Sequence, residues 1–171
     1  YFKKNFNILD QDSFTRILNT KKIPKKKSLL LTFDDGYIDH YEYVFPLLKK
    51  NNLSGIFYPP VQVITNNKVL DVNKIHFVLE KEQNKEKILK KINLLIKKLY
   101  SKNLSDFDLS KINLKSRYDD KTTKLVKLLL QNILPKKIRK KILNLIFEDV
   151  MGVEEKIFAK KLYLTCEQIH E

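Results

Sequence analysis

LLLTFDDGY, residues 29–37, sets the most apolar run of the chain directly against two adjacent aspartates and a glycine. Ser28 to Phe33 is a continuous apolar run, the pattern of a strand covered on both faces. Asp34 and Asp35 then fall at the carboxyl end of that strand, where ligands bind in parallel α/β sheets. Gly36 lets the backbone turn sharply there. Two carboxylates this close repel each other, and leaving both ionised costs free energy unless a cation or hydrogen-bond donors offset it. A divalent metal would do so. One carboxylate would ligate it, and the other would stand as a base beside a metal-bound water, whose pKa can fall from about 15.7 to roughly 7. The plainer alternative is that one aspartate caps the following helix and the other is exposed, and the tripeptide DDG, common in turns, taken alone favours it.

The segments around this run read as α/β. FNILD, residues 6–10, is a short strand, and QDSFTRILN a helix capped by Asp10 or Asp12. Residues 37–51 fit a helix with Tyr41, Val44, Phe45 and Leu48 on one face. Residues 55–58 read as a second strand, closed by Pro59 and Pro60, which cannot donate to a ladder. Strand, helix and strand of these lengths make a βαβ unit. Residues 28–33 and 55–58 are expected to be adjacent parallel strands, with the helix packed on them.

Residues 65–161 differ. They are lysine-rich and are expected to be helical, with three stripes at helical spacing. These are Ile88, Ile92, Leu95, Ile96, Leu99; Leu125, Leu128, Leu129, Asn132, Ile133; and Ile138, Ile142, Leu145, Ile146, Val150. Residues 101–121 are polar and are expected to be irregular.

The chain has 171 residues and 43% hydrophobic content, enough for a real core. No run of about 18 apolar residues is present, so no transmembrane segment is expected. A lone cysteine, Cys166, excludes an internal disulfide framework and a cysteine-based zinc cluster. The net charge of +14 raises the question of nucleic acid. Of the 34 basic residues, however, only three are Arg, the residue that base and phosphate forks favour. With 17 Ile, 14 Asn and a single Ala, the composition fits coding DNA rich in A and T, which inflates lysine without a functional cause. No nucleic-acid partner is expected, and the lysines read as solvated faces. A basic amphipathic surface for a membrane or an anionic polymer stays open.

LLLTFDDGY followed by YEYVFPLLKKNNLSGIFY resembles the polysaccharide deacetylase family, the NodB-homology or carbohydrate esterase 4 group. The resemblance is strong over residues 29–58 and weaker over 6–18 and 162–171. It implies an α/β fold that is part of a distorted (β/α) barrel, with residues 65–161 as a long helical insertion in a partial domain spanning 1–171. It implies removal of acetyl groups from N-acetylated polysaccharide or oligosaccharide. The first aspartate of the family motif, matching Asp34, is the catalytic base. The second, matching Asp35, ligates a divalent metal, usually zinc.

The family completes its metal site with H-[ST]-x-x-H, and that motif is not found here. The histidines are His40, His76 and His170, and no two lie four apart. His40 falls one turn beyond Gly36 and reads as a half-exposed helix residue. His76, between Ile75 and Phe77, reads as a core or interface position. TCEQ, residues 165–168, is a capping box that starts a helix. In the family, LYLTCEQIHE resembles the lead-in to the two-histidine strand, so the chain is expected to be a fragment that is inactive alone. Cys166 reads as structural. Two other classes share features with this sequence. A phosphotransferase of the haloacid dehalogenase type wants D-x-D rather than an adjacent pair. A non-catalytic basic binding module on a degenerate esterase scaffold stays open.

Overall fold

The computed structural model describes residues 1–109 and 113–171. They form two compact units: Tyr1–Lys68 with Ala159–Glu171, and Val69–Phe158.

The first unit mixes short strands and helices. Phe2–Asn5 (α1) leads into Asn7–Leu9 (β1). Gln11–Thr20 (α2) begins at Asp10, whose carboxylate accepts the Ser13 N–H at 2.8 Å. Of the two capping candidates, Asp10 is therefore the one used. The apolar run that follows is two strands rather than one. Ser28–Leu30 (β2) and Thr32–Asp34 (β3) are separated at Leu31. β2 pairs in parallel with β1, and β3 pairs in parallel with Ile56–Tyr58 (β4), Thr32 opposite Ile56 and Asp34 opposite Tyr58. The expected parallel neighbour is thus present, but only for the second half of the run. The Leu31 carbonyl accepts the Ile56 N–H at 2.9 Å, so the second ladder starts where the first ends.

The class is α/β, and among the described residues the four strands make two two-stranded sheets without closing into a barrel. The run is also less covered than its composition suggests. β2 is half-buried, and Thr32 and Asp34 are exposed. Three-residue strands with one hydrogen-bonded neighbour each cannot be sealed on both faces.

Between β3 and β4, His40–Val44 is a π turn that runs into Phe45–Asn51 (α3). Pro46 has no N–H with which to continue an α ladder, and the wider turn comes directly before it. The expected face is realised. Tyr41 and Phe45 stack at 6.0 Å, and Leu48 is buried. Gly55 permits the close approach of α3 to β3. A Cβ there would stand 2.9 Å from Leu48 and 2.9 Å from Phe33. Val61–Asn66 (α4) follows the proline pair.

The second unit is built from Asp71–Lys81 (α5), Lys85–Tyr100 (α6), Lys121–Leu128 (α7), Lys136–Met151 (α8) and the start of Glu155–Leu162 (α9). α6 buries Ile88, Ile92 and Ile96, as its stripe predicts. α7 and the turn after it bury only Leu129 of their expected stripe. The buried positions are Thr123, Val126, Leu129 and Leu130, while Asn132 is exposed. A second π turn, Leu129–Ile133, again lies just ahead of a proline, Pro135, and shifts the phase of everything after it. On α8 the buried face takes in Leu143 and Phe147 as well as Ile142 and Ile146, and Leu145 is 40% exposed. Residues 101–121 are irregular where described apart from a single turn at Leu104–Asp106, and 110–112 lie outside the described residues. No described helix is long and apolar enough to cross a membrane.

The interior of this unit holds a feature that its lysine-rich sequence hides. The Lys74 ammonium and the Glu155 carboxylate pair at 2.9 Å with side chains only 3% and 6% exposed. Lys74 also donates to Asn144 Oδ1 at 2.6 Å and lies over the Phe147 ring. Glu155 also accepts the Val69 N–H at 2.9 Å.

Candidate active site

The two aspartates sit where β3 ends and the chain reverses. Asp34 is the last residue of β3 and is exposed, while Asp35 is half-buried. Asp35 and Gly36 both take left-handed backbone conformations, φ 70° and 67°. Glycine adopts this freely, but a non-glycine residue does so at a cost of order 1 kcal/mol or more, and such residues concentrate at functional sites. Pro59 explains why position 36 must be glycine. A Cβ on Gly36 would lie 2.8 Å from Pro59 Cβ and 3.1 Å from its Cα. Gly36→Ala is therefore expected to destabilise the α/β unit by about 1–3 kcal/mol, through both the left-handed backbone and the contact with a rigid ring. Urea unfolding of the two proteins measures it, and a loss below about 0.5 kcal/mol would mean that the turn relaxes at no cost.

The C-terminal segment of the chain closes on this turn. The Leu164 N–H donates to the Gly36 carbonyl at 2.9 Å, and Tyr37 and Tyr163 form an antiparallel bridge with their rings stacked at 5.7 Å. Burial, then the nearby Asp35 carboxylate and Tyr163, push the Tyr37 phenol up to about 12. Cys166–His170 (α10) begins at Thr165 with both halves of its capping box formed, as the sequence predicts. Tyr41 donates its hydroxyl to the Glu171 carboxylate. The Tyr37–Tyr163 pairing was not read from the sequence. The only hint was the weak family likeness over residues 162–171.

His40 lies among Phe33, Tyr37 and Phe57, with ring centroids 5.7, 6.0 and 5.8 Å away. It is half-buried, as expected. Burial lowers its pKa from the ordinary value, against the pull of Asp39, Asp35 and Asp34 in the opposite direction. Among the described residues its buried Nδ1 has no hydrogen-bond partner. It lines a cleft of about 370 Å³ with Tyr41, Phe45, Phe57, Gln168 and Ile169. His76 is exposed on α5 rather than in a core, because the buried face there belongs to Asn73, Lys74, Ile75 and Val78. His170 is exposed in the last turn of α10, and Cys166 is exposed rather than packed.

A catalytic zinc site takes three protein ligands. Asp34 and Asp35 offer carboxylate oxygens, but among the described residues no group of three His, Cys, Asp or Glu side chains could hold a metal ion. The described residues do not by themselves offer a complete set of ligands for a metal centre.

Residues 21–98, just under half of the chain, match the family model described as polysaccharide deacetylase. A stretch of 42 residues is 40% identical to "Putative polysaccharide deacetylase YxkH" of Bacillus subtilis (strain 168). That stretch covers 25% of this chain and 15% of the relative's length. No solved structure matches.

Proposed function

We propose, for a chain whose residues 21–98 match the polysaccharide deacetylase family model, that the protein it represents hydrolyses N-acetyl groups on the sugars of a polysaccharide. One observation carries the reading. Inside the family-matched segment, two adjacent carboxylates stand at the carboxyl end of a parallel strand, held there by a left-handed Asp35–Gly36 turn. A structural cap needs one carboxylate and no left-handed aspartate.

In this reading Asp34 is the base. It takes a proton from water as the water oxygen attacks the acetyl carbonyl carbon. The proton held by Asp34 then passes to the sugar nitrogen as the amide C–N bond breaks, so the nitrogen leaves as an amine and acetate is released. Asp35 is one donor toward a divalent metal, zinc by family likeness, whose remaining donors are not among the described residues. When bound, such a metal supplies Lewis acidity. The fold in this reading is part of a distorted (β/α) barrel. The division of the chain at Val69 and Phe158 supports taking residues 65–161 as a helical insertion in it, the first part of which, to residue 98, lies within the family match.

The test is acetate release from an N-acetylglucosamine oligomer by the full-length protein with zinc present, and a full-length protein that releases none overturns the reading. Residues 1–171 alone are expected to release no acetate even with added zinc or cobalt, because one carboxylate ligand binds metal weakly. Metal-dependent release by this chain alone would show that the site is built from other ligands, His40 first among them.

A further inference from the structure

Residues 136–141, KKIRKK, put five cations into six residues at the start of α8. At 3.6 residues per turn, Lys136, Lys137, Lys140 and Lys141 share about 140° of one side of the helix. All four are exposed. This arrangement works against the helix that carries it. Lys136 with Lys140, and Lys137 with Lys141, are like-charged pairs one turn apart. Cations in a first turn also oppose the helix dipole, and here Pro135 gives no side-chain cap and the turn holds no acidic residue.

No ion pair of the helical unit relieves the repulsion among the described residues. Glu82, Asp119 and Asp149 are paired with Lys87, Lys127 and Lys91. Glu148, the next acidic residue on that side of α8, accepts the Glu155 N–H at 3.4 Å. Among the described residues none of the four lysines has an ion-pair partner. Where a local rule is broken without compensation inside the fold, a functional cause is the first to test.

We propose that this face binds an anionic polysaccharide. Charge complementarity sets the sign of the partner, and the side chains favour its class. The four exposed cations are lysines, compact point charges without the planar fork used for base and phosphate readout, which suit a repeating array of carboxylates along a flexible chain, whereas Arg139 is half-buried and donates to the Leu134 carbonyl at 3.4 Å. No aromatic residue is interleaved in 136–141 on which a nucleic-acid base could stack. The apolar side of α8 is spent in the core at Ile142, Leu143 and Ile146, which leaves no apolar face to enter a bilayer. The choice of a glycan rests on the deacetylase reading, whereas the uncompensated charge does not.

The experiment uses the full chain and a fluorescent polygalacturonate oligomer, with uncharged dextran, single-stranded DNA of equal charge and phosphatidylglycerol vesicles as competitors. Polygalacturonate is expected to bind more weakly as salt rises, and dextran not to compete. The variant K136Q/K137Q/K140Q/K141Q is expected to weaken binding at least tenfold. K90Q/K97Q/K98Q/K156Q removes the same charge from other exposed positions and is expected to weaken it less than threefold. Circular dichroism confirms that both variants keep their helices. Equal weakening by the two variants, stronger binding of DNA or vesicles than of polygalacturonate, or no binding at low salt each overturns the proposal. Acetate release from a neutral N-acetylglucosamine oligomer by the full-length protein is a separate readout. Binding without hydrolysis refutes the deacetylase reading alone, and hydrolysis without binding refutes this proposal alone.

Discussion

Glu155→Ala is expected to cost the helical unit about 3–5 kcal/mol, the usual loss when one partner of a buried ion pair is removed. The substitution leaves the Lys74 ammonium in an interior where its side chain is 3% exposed, and it removes the acceptor of the Val69 N–H. The Asn144 carbonyl oxygen and the Phe147 ring remain near Lys74, but neither carries a full charge. The sign of the effect comes from desolvation rather than from the strength of the pair. Two charges taken out of water offset each other, and one alone does not. The double variant Lys74→Met with Glu155→Leu removes both charges together and is expected to recover most of the loss. Denaturant unfolding followed by circular dichroism measures all three proteins. A Glu155→Ala loss below about 1 kcal/mol, or a double variant worse than the single, would mean that the pair is solvated rather than buried.

The second large effect concerns chemistry and rests on the proposed function. In the full-length protein, Asp34→Asn keeps the shape of the side chain and removes its basicity. Acetate release is expected to fall by about 10²–10⁴-fold, the usual contribution of a positioned base. Bound metal, measured by elemental analysis, is expected to stay unchanged. Asp35→Ala is expected to lose metal and activity together. A reversed pattern, with metal lost at Asp34 and retained at Asp35, would exchange the two roles. Unchanged activity in both variants would remove the pair from the mechanism.

The sequence was informative wherever the cause was local. Asp10 caps α2 and Thr165 caps α10, because a short polar side chain beside an open N–H needs nothing from the rest of the fold. The α6 stripe was readable because an uninterrupted helix keeps one phase over its length. α7 was not, because its buried face includes a threonine, Thr123, beside Val126, which an apolar-stripe reading passes over, and the π turn that follows shifts the phase of Asn132 and Ile133. The break at Leu31 was hidden for another reason. β2 and β3 take different partners, β1 and β4, and partner choice is not written in the run itself. Lys74 was invisible because a buried lysine looks like any other in a chain with 31 of them, and its partner lies 81 positions away at Glu155. At the candidate site, the aspartate pair and the need for a glycine were legible from composition and order. The Tyr37–Tyr163 bridge depends on the C-terminal segment returning to the turn, and only the fold provides that.

The bond from the Val69 N–H to Glu155 has a consequence for how such a chain can change over time. It ties the first residue of the helical unit to the side chain of Glu155, near the unit's last residue, Phe158. A segment that leaves and returns through one point can lengthen, shorten or be replaced while asking little of its host. The entropy of closing a loop grows only with the logarithm of its length, and insertions are tolerated best where the ends lie together. The helical unit can therefore drift in sequence, acquiring lysines or losing them, while the strand, the aspartate pair and the glycine turn stay under their own constraints.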